Sequence, residues 1–315
     1  MKRKLHTLAA AVLLALAAGS AQAQNTVGYN QTLVPAQADA RLSVPFNQAI
    51  EGTFAVVAKT SGGVTVSDAL VAAKYANAYY VRFTSGNASG LWATISTNTT
   101  NEFVLADANV LARVSAGDTF RVYKHHTLGS LFPKGLYGVS FTNGTVVNIF
   151  ANDLAAMRQN KSAAKSATYT TNGGGRWAGA GVSDTTVLVP ETQFILRNNS
   201  TQQLKVYTMG AVPDYTVSML IAPAGDLVFG SGYPVPVVLK TSGLGGDLRT
   251  VFFYDNTSAG FNKSSAKAAT YTTSGGGRWL GAGVTGNELV LPSQTITLRL
   301  PAGETATKVT LPRPY

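Results

Sequence analysis

Residues 160–182 read NKSAAKSATYTTNGGGRWAGAGV and residues 262–284 read NKSSAKAATYTTSGGGRWLGAGV, identical at 19 of 23 positions at a shift of 102. A match of that length marks a duplicated module. A second pair of landmarks, Leu128-Gly-Ser-Leu-Phe-Pro133 and Phe229-Gly-Ser-Gly-Tyr-Pro234, stands in the same order at a shift of 101 and places the starts of the copies near Leu128 and Phe229.

Around these landmarks apolar residues come in short runs broken by Gly, Asn, Ser and Thr, the pattern of an all-β chain. Strands are expected at Leu42 to Phe46, Thr53 to Ala58, Tyr79 to Phe83, Leu91 to Ile95, Phe103 to Leu105 and Phe120 to Tyr123. Asn143-Gly144 suits the positive φ angles of a type I′ hairpin. Asp68 to Ala76 and Asp153 to Gln159 start on an N-capping Asp and space their apolar residues as a helix would. The expected division is a β-barrel or sandwich domain at residues 24–127, then two duplicated β-sandwich modules at 128–228 and 229–315 packed as a pseudo-symmetric pair. The near-identical stretch is expected where the copies face each other.

Lys2-Arg3-Lys4, an apolar run from Leu8 to Ala18 and Ala21-Gln22-Ala23 read as a secretory signal at residues 1–23, with a mature chain starting at Gln24. The apolar run has 11 residues, short of the roughly 20 a spanning helix needs. The chain has no cysteine, so stability has to come from burial and sheet hydrogen bonds. Without the signal the charge is 22 basic against 15 acidic residues, a mild positive excess without long basic runs. Nucleic acid is therefore not an expected partner; an anionic or neutral polysaccharide is the partner that the alternative, carbohydrate-binding reading implies. The polar stretch from Thr305 to Tyr315 carries no hydrophobic sorting tail, so release, or retention by protein contacts, is expected.

With the signal, the opening Val27-Gly-Tyr29 through Leu42-Ser-Val-Pro-Phe46, the segment Thr127 to Pro133 and the paired Asn-Lys-Ser…Tyr…Gly-Gly-Gly-Arg-Trp blocks in view, the chain resembles a family of uncharacterised exported bacterial β-rich proteins. The resemblance implies export in a diderm bacterium and a β-rich fold, and brings no activity, cofactor or catalytic residue.

The repeated block supplies the candidate ligand-binding residues: Lys161, Lys165, Tyr169, Arg176 and Trp177, with their copies Lys263, Lys267, Tyr271, Arg278 and Trp279. An exposed Trp beside an Arg would stack on a sugar ring and bind its hydroxyls. The competing reading has Tyr and Trp filling the core while the glycines make a hairpin, and burial of the Trp rings is expected on it. The lysines and arginines would form two matched cationic patches if both copies faced one side; otherwise they are solvated charges that guard sheet edges. His125-His126 would point to opposite strand faces, so no metal site is expected there. Asp153 and Asp255 occupy equivalent repeat positions without a duplicated calcium-ligand pattern. There is no close carboxylate pair, G-x-S-x-G, H-E-x-x-H or P-loop. The sequence therefore points to an exported, non-enzymatic structural or assembly protein of the periplasm, cell surface or extracellular space. It would self-associate or bind envelope proteins, with no cofactor. A carbohydrate-binding protein using the Arg-Trp loops is the second reading and an exported hydrolase the third.

Overall fold

The computed structural model describes residues 26–132, 141–150, 152–153, 157–159 and 163–315. The signal segment with Gln24, and Pro133, Asn160 and Lys161, lie outside the described residues. The chain is all-β, and every described sheet is antiparallel.

Residues 50–124 form a seven-stranded sheet. Its order is Ile50–Ala55, Thr119–Lys124, Tyr79–Phe83, Trp92–Asn98, Glu102–Leu105, Gly63–Thr65 and Ala58–Lys59. The two outermost strands are neighbours in the chain, joined through Val56 and Val57, whose N–H groups donate to Asp118 and Thr65 from opposite edges. The sheet is therefore rolled up on itself. Alternation along Thr119–Lys124 and Trp92–Asn98 sends every second side chain inward. Phe54, Phe83, Phe103 and Phe120 meet there with centroids 5.2–5.6 Å apart.

The sheet pairing divides the rest of the chain differently from the linear boundary at residue 127. Strand Ala38–Leu42 pairs with Phe194–Asn198 at the end of a six-stranded sheet. That sheet continues through Val146–Ile149, Lys165–Thr170, Arg176–Gly179 and Val182–Ser183. Val27–Val34 pairs with Leu204–Ala211 over eight residues. The first repeat unit thus takes its opening strands from before the rolled sheet, and its core joins Val34, Ala40, Leu42 and Val44 to residues between Leu128 and Val206. The second unit is continuous, with order Asp226–Gly230, Thr295–Arg299, Thr250–Phe253, Lys267–Thr272 and Arg278–Leu280, and Val217–Ile221 pairing with Thr307–Leu311.

The strand order is the same in both units. Asp39 opposes Arg197 and Asp226 opposes Arg299, each through two hydrogen bonds of 2.6–2.9 Å. The two members of this pair recur at shifts of 187 and 102 residues; the 85-residue difference is mostly the rolled sheet, which is inserted in the first unit. The Leu128 landmark does not match the Phe229 landmark in space. Leu128–Leu131 is a helical turn capped by Thr127, following a short strand at His126–Thr127, and corresponds to the 3-10 turn Leu239–Thr241 after Val237–Val238.

The units meet as a pseudo-two-fold pair. Leu42 bridges Gln294 and its equivalent Phe229 bridges Thr192. Ser43 N–H donates to Ser293 O at 2.9 Å, and Gly230 N–H to Glu191 O at 3.4 Å. Reciprocal contacts of this kind define an isologous interface. A Cβ on Gly230 would lie 1.7 Å from Ser43 Oγ, so one of these two equivalent positions has to be glycine. The hairpins of the near-identical stretch therefore lie toward the sheet ends away from this junction, and only its opening residues Asn262 and Lys263, in the second copy, meet the other unit as expected.

Four local expectations fail. The strand expected at Leu42 to Phe46 lies earlier, at Ala38–Leu42. Asp68 to Ala76 forms turns, with Ala73 at φ 59°, because Asn98 takes the backbone: its Oδ1 accepts from Tyr75 N–H and its Nδ2 donates to Val71 O. Residues 154–156 of the helix expected from Asp153 to Gln159 lie outside the described residues, and at its two ends Asn152–Asp153 pairs with Arg158–Gln159 as strands. At Asn143-Gly144 only the glycine has positive φ, 87°, so the turn is not type I′. The strand that follows pairs with Lys165–Thr170 and Phe194–Asn198.

Candidate functional site

The repeated hairpin is built the same way twice. Tyr169 pairs with Trp177 and Tyr271 with Trp279, their rings edge to face at 5.3 and 5.1 Å. All three glycines of each turn have φ between 70° and 90°, a conformation that costs any other residue about 1–2 kcal/mol. A Cβ on the third glycine would lie 2.1 Å from Tyr169 Oη in one copy and 2.3 Å from Tyr271 Oη in the other. Trp177 and Trp279 are 2% and 5% exposed, so neither offers a ring face to a sugar. Arg176, Arg278, Lys165 and Lys267 are exposed, and Lys267 Nζ donates to Gly283 O at 3.1 Å. The two hairpins belong to different sheets, so the structure does not gather the nine described candidates into one site.

It does carry Lys263 to the junction. Asp39, held by Arg197, accepts the Asn262 N–H at 2.7 Å, and Arg197 Nη2 also donates to Asn262 Oδ1 at 2.9 Å. Lys263 then lines an open groove of about 570 Å³ between the two repeat sheets, together with Arg41, Gln193, Phe252, Tyr254 and Arg299. The Arg41 guanidinium lies over the Tyr254 ring at 4.0 Å and that of Arg299 over Phe252 at 4.9 Å. Arg41 Nη2 donates to Lys263 O at 3.2 Å, and Asn256 fixes the Arg41 backbone from both sides, at 2.9 and 3.0 Å. Burial lowers the pKa of Arg41; burial also lowers that of Lys263, the Arg41 charge adding to it against Asp255 and Asp39.

A second polar cluster is closed to solvent. Arg82, 0% exposed, donates to Glu191 Oε1 at 2.5 Å and to Gly90 O at 2.9 Å, and lies 4.8 Å from the Tyr215 ring. Burial raises the Glu191 pKa, with the Arg82 charge opposing. Tyr80 donates to Asn47 Oδ1 at 2.8 Å, and Asn47 Nδ2 donates to Tyr215 Oη at 2.7 Å. His125 stacks on Tyr80 at 4.8 Å and meets Thr94, whereas His126 meets Ser130, so the two rings look into different surroundings. Burial pushes His125 down to about 3, with His126 contributing, and His126 down to about 4. This cluster joins the rolled sheet to both repeats: Tyr80 and Tyr123 belong to the same core as Tyr215, Met219 and Tyr233. Within it Arg82 Nε, Glu191 Oε2, His125 Nδ1 and His126 Nε2 are buried without a hydrogen-bond partner.

Arg41 and Lys263 lie 222 residues apart and Arg82 and Glu191 lie 109 apart, so no motif spacing links either pair. One available signal was Arg82 inside the otherwise apolar or aromatic strand Tyr79–Phe83. Among the described residues no helix is long and apolar enough to cross a membrane, and no group of three or more His, Cys, Asp or Glu is placed to hold a metal. Comparison with protein-family models, with curated proteins and with solved structures finds no match to this chain.

Proposed function

We propose that the chain is an exported, non-enzymatic structural protein of the cell envelope or extracellular space, which assembles through the free edge of strand Val27–Val34. The carrying observation is how differently the sheet edges are treated. Ile50–Ala55 is bulged at Ile50/Gly52 and carries Glu51. Ala58–Lys59 and Val182–Ser183 are two residues long, and Arg278–Leu280 three. Ala38–Leu42 and Asp226–Gly230 are bridged across the junction. Val217–Ile221 is covered by the rolled sheet, Ser218 N–H donating to Gly90 O at 3.0 Å. Leu204–Ala211, its partner, carries Lys205 and is bridged at Ala211 by Asn47, whereas Val27–Val34 is eight residues long and pairs on one side alone among the described residues. It exposes Val27, Tyr29 and Leu33 at 66%, 77% and 45%, with no Lys or Pro to blunt it. A long apolar edge of this kind is a template for another strand, here that of a second copy.

Sedimentation velocity on the mature protein tests this. The wild type is expected to associate with rising concentration, and the double variant Tyr29→Lys, Leu33→Lys to stay monomeric with an unchanged melting temperature. A wild type monomeric at its highest soluble concentration would refute the assembly reading. Export rests on the signal pattern, and mass spectrometry of the exported product should find Gln24 at its N-terminus; an intact Met1 would count against export.

A further inference from the structure

Among the arginines described, Arg82, Arg121, Arg197, Arg249 and Arg299 each sit against a carboxylate. Arg41 does not, although it is partly buried, and neither does Lys263 beside it. The guanidinium is held in place by Tyr254, by the Lys263 carbonyl and by Gln193 Oε1 at 3.4 Å. Lys263 Nζ has a backbone carbonyl, Ser258 O, at 2.7 Å as its partner. Both half-buried cations hydrogen-bond to neutral acceptors, and Asp39 and Asp255 act on them from beyond ion-pair distance, so the pair keeps charge that an anion would neutralise. The rest of the lining narrows the chemistry. Asn262, Ser264 and Ser265 present exposed amide and hydroxyl groups that both donate and accept. Phe252 and Tyr254 supply apolar faces, and the Arg299 charge is already taken by Asp226. One anionic group among many hydroxyls suits an acidic sugar polymer better than a polyphosphate.

We propose that the groove between the two repeat sheets binds an acidic saccharide, whose carboxylate is taken by Arg41 and Lys263 and whose hydroxyls are met by Asn262, Ser264 and Ser265. This site is separate from the assembly edge, so either reading can fail without the other. The groove volume falls in the range of natural ligand sites.

Hexagalacturonate is the probe and its fully methyl-esterified form the neutral control, titrated by calorimetry at low and high salt. Binding of the acid, weakened by salt and absent for the ester, is expected, with Lys263→Gln and Arg41→Gln each weakening it about tenfold, the effect of one charge-assisted hydrogen bond. Lys59→Gln, on the rolled sheet, should bind as the wild type does. Because Arg41→Gln alters a packed residue, the Arg41 Nε–H resonance of the wild type is followed in the same titration and should shift. The proposal is overturned if hexagalacturonate does not bind, if the ester binds equally, if both variants keep full affinity, or if the Arg41 resonance stays still. Displacement by equimolar inorganic phosphate would reduce the groove to a bare anion site and overturn the saccharide assignment.

Discussion

At the pseudo-two-fold junction the first unit places Glu191 where the second places Ser293, and both backbones take the left-handed conformation, at φ 54° and 58°. Ser293 Oγ accepts from Asn30 Nδ2 at 2.8 Å, and both residues belong to the duplicated pair itself. Glu191 instead reaches Arg82 of the inserted sheet. One position of a duplicated frame thus kept a local partner, while the other became the anchor of a third unit. The outer strands diverge in parallel: Val217–Ile221 is covered by that unit at Gly90, and Val27–Val34 is left open. Inserting a unit into one copy gave two once-equivalent surfaces different fates.

The largest effects are expected at the shared hairpins. Trp177→Ala and Trp279→Ala should each cost about 3–5 kcal/mol in chemical denaturation. Trp177 should lie at the upper end, since it meets Phe132 and Phe141 as well as Tyr169, whereas the ring contact described for Trp279 is Tyr271 alone. A negligible cost at either site would end the claim that the copies share one core design. The anchor is tested by Glu191→Ala, expected to cost about 3–5 kcal/mol because it leaves Arg82 charged and buried. Ser293→Ala at the equivalent site should cost about 1 kcal/mol, a single neutral hydrogen bond. Equal costs would mean that the two positions had not diverged.

Acid should loosen the same anchor. His125 and His126 are held neutral with folded pKa values of about 3 and 4, below the unfolded value near 6.5. The unfolded chain therefore takes up protons first as pH falls. The stabilisation is complete above about pH 6.5 and drains away as pH drops toward the folded values, on the order of 3 kcal/mol for His126. Denaturation midpoints between pH 7 and 4 should show this fall, and His126→Gln should flatten it. Smaller again, Gly173→Ala and Gly275→Ala should each cost about 1–2 kcal/mol, equally in both copies, since a Cβ there meets open space and the backbone conformation alone is strained.

The all-β class and the duplicated hairpin were legible because their causes are local: period-two alternation, three glycines at positive φ, and a Trp beside the Tyr across the hairpin. The true opening of the first unit was not. Its strands share little with Val217–Gly230 beyond Leu33 at the position equivalent to Leu220 and Asp39 at that equivalent to Asp226, and the inserted sheet hides that correspondence. The Gly-Ser and Pro landmarks misled because Ser231 is buried in a turn after a strand, while Ser130 closes a helical cap. The groove was half visible. Lys263 belongs to the repeated motif, but Arg41 sits on an ordinary-looking strand and is drawn to it through pairing of Ala38–Leu42 with Phe194–Asn198.

The insertion also imposes an order of events on folding. Val27–Val34 leaves the ribosome and any translocation channel well before its hydrogen-bonding partner Leu204–Ala211, and Ala38–Leu42 must wait for Phe194–Asn198. The rolled sheet has all its pairings within residues 50–124 and can close much earlier. Contacts of such long sequence separation form slowly, and unpaired apolar strands invite association in the meantime. The nascent chain thus carries two orphan strands through most of its synthesis, tethered to an already folded unit. Its yield on refolding should therefore rise with dilution and with holdase chaperones.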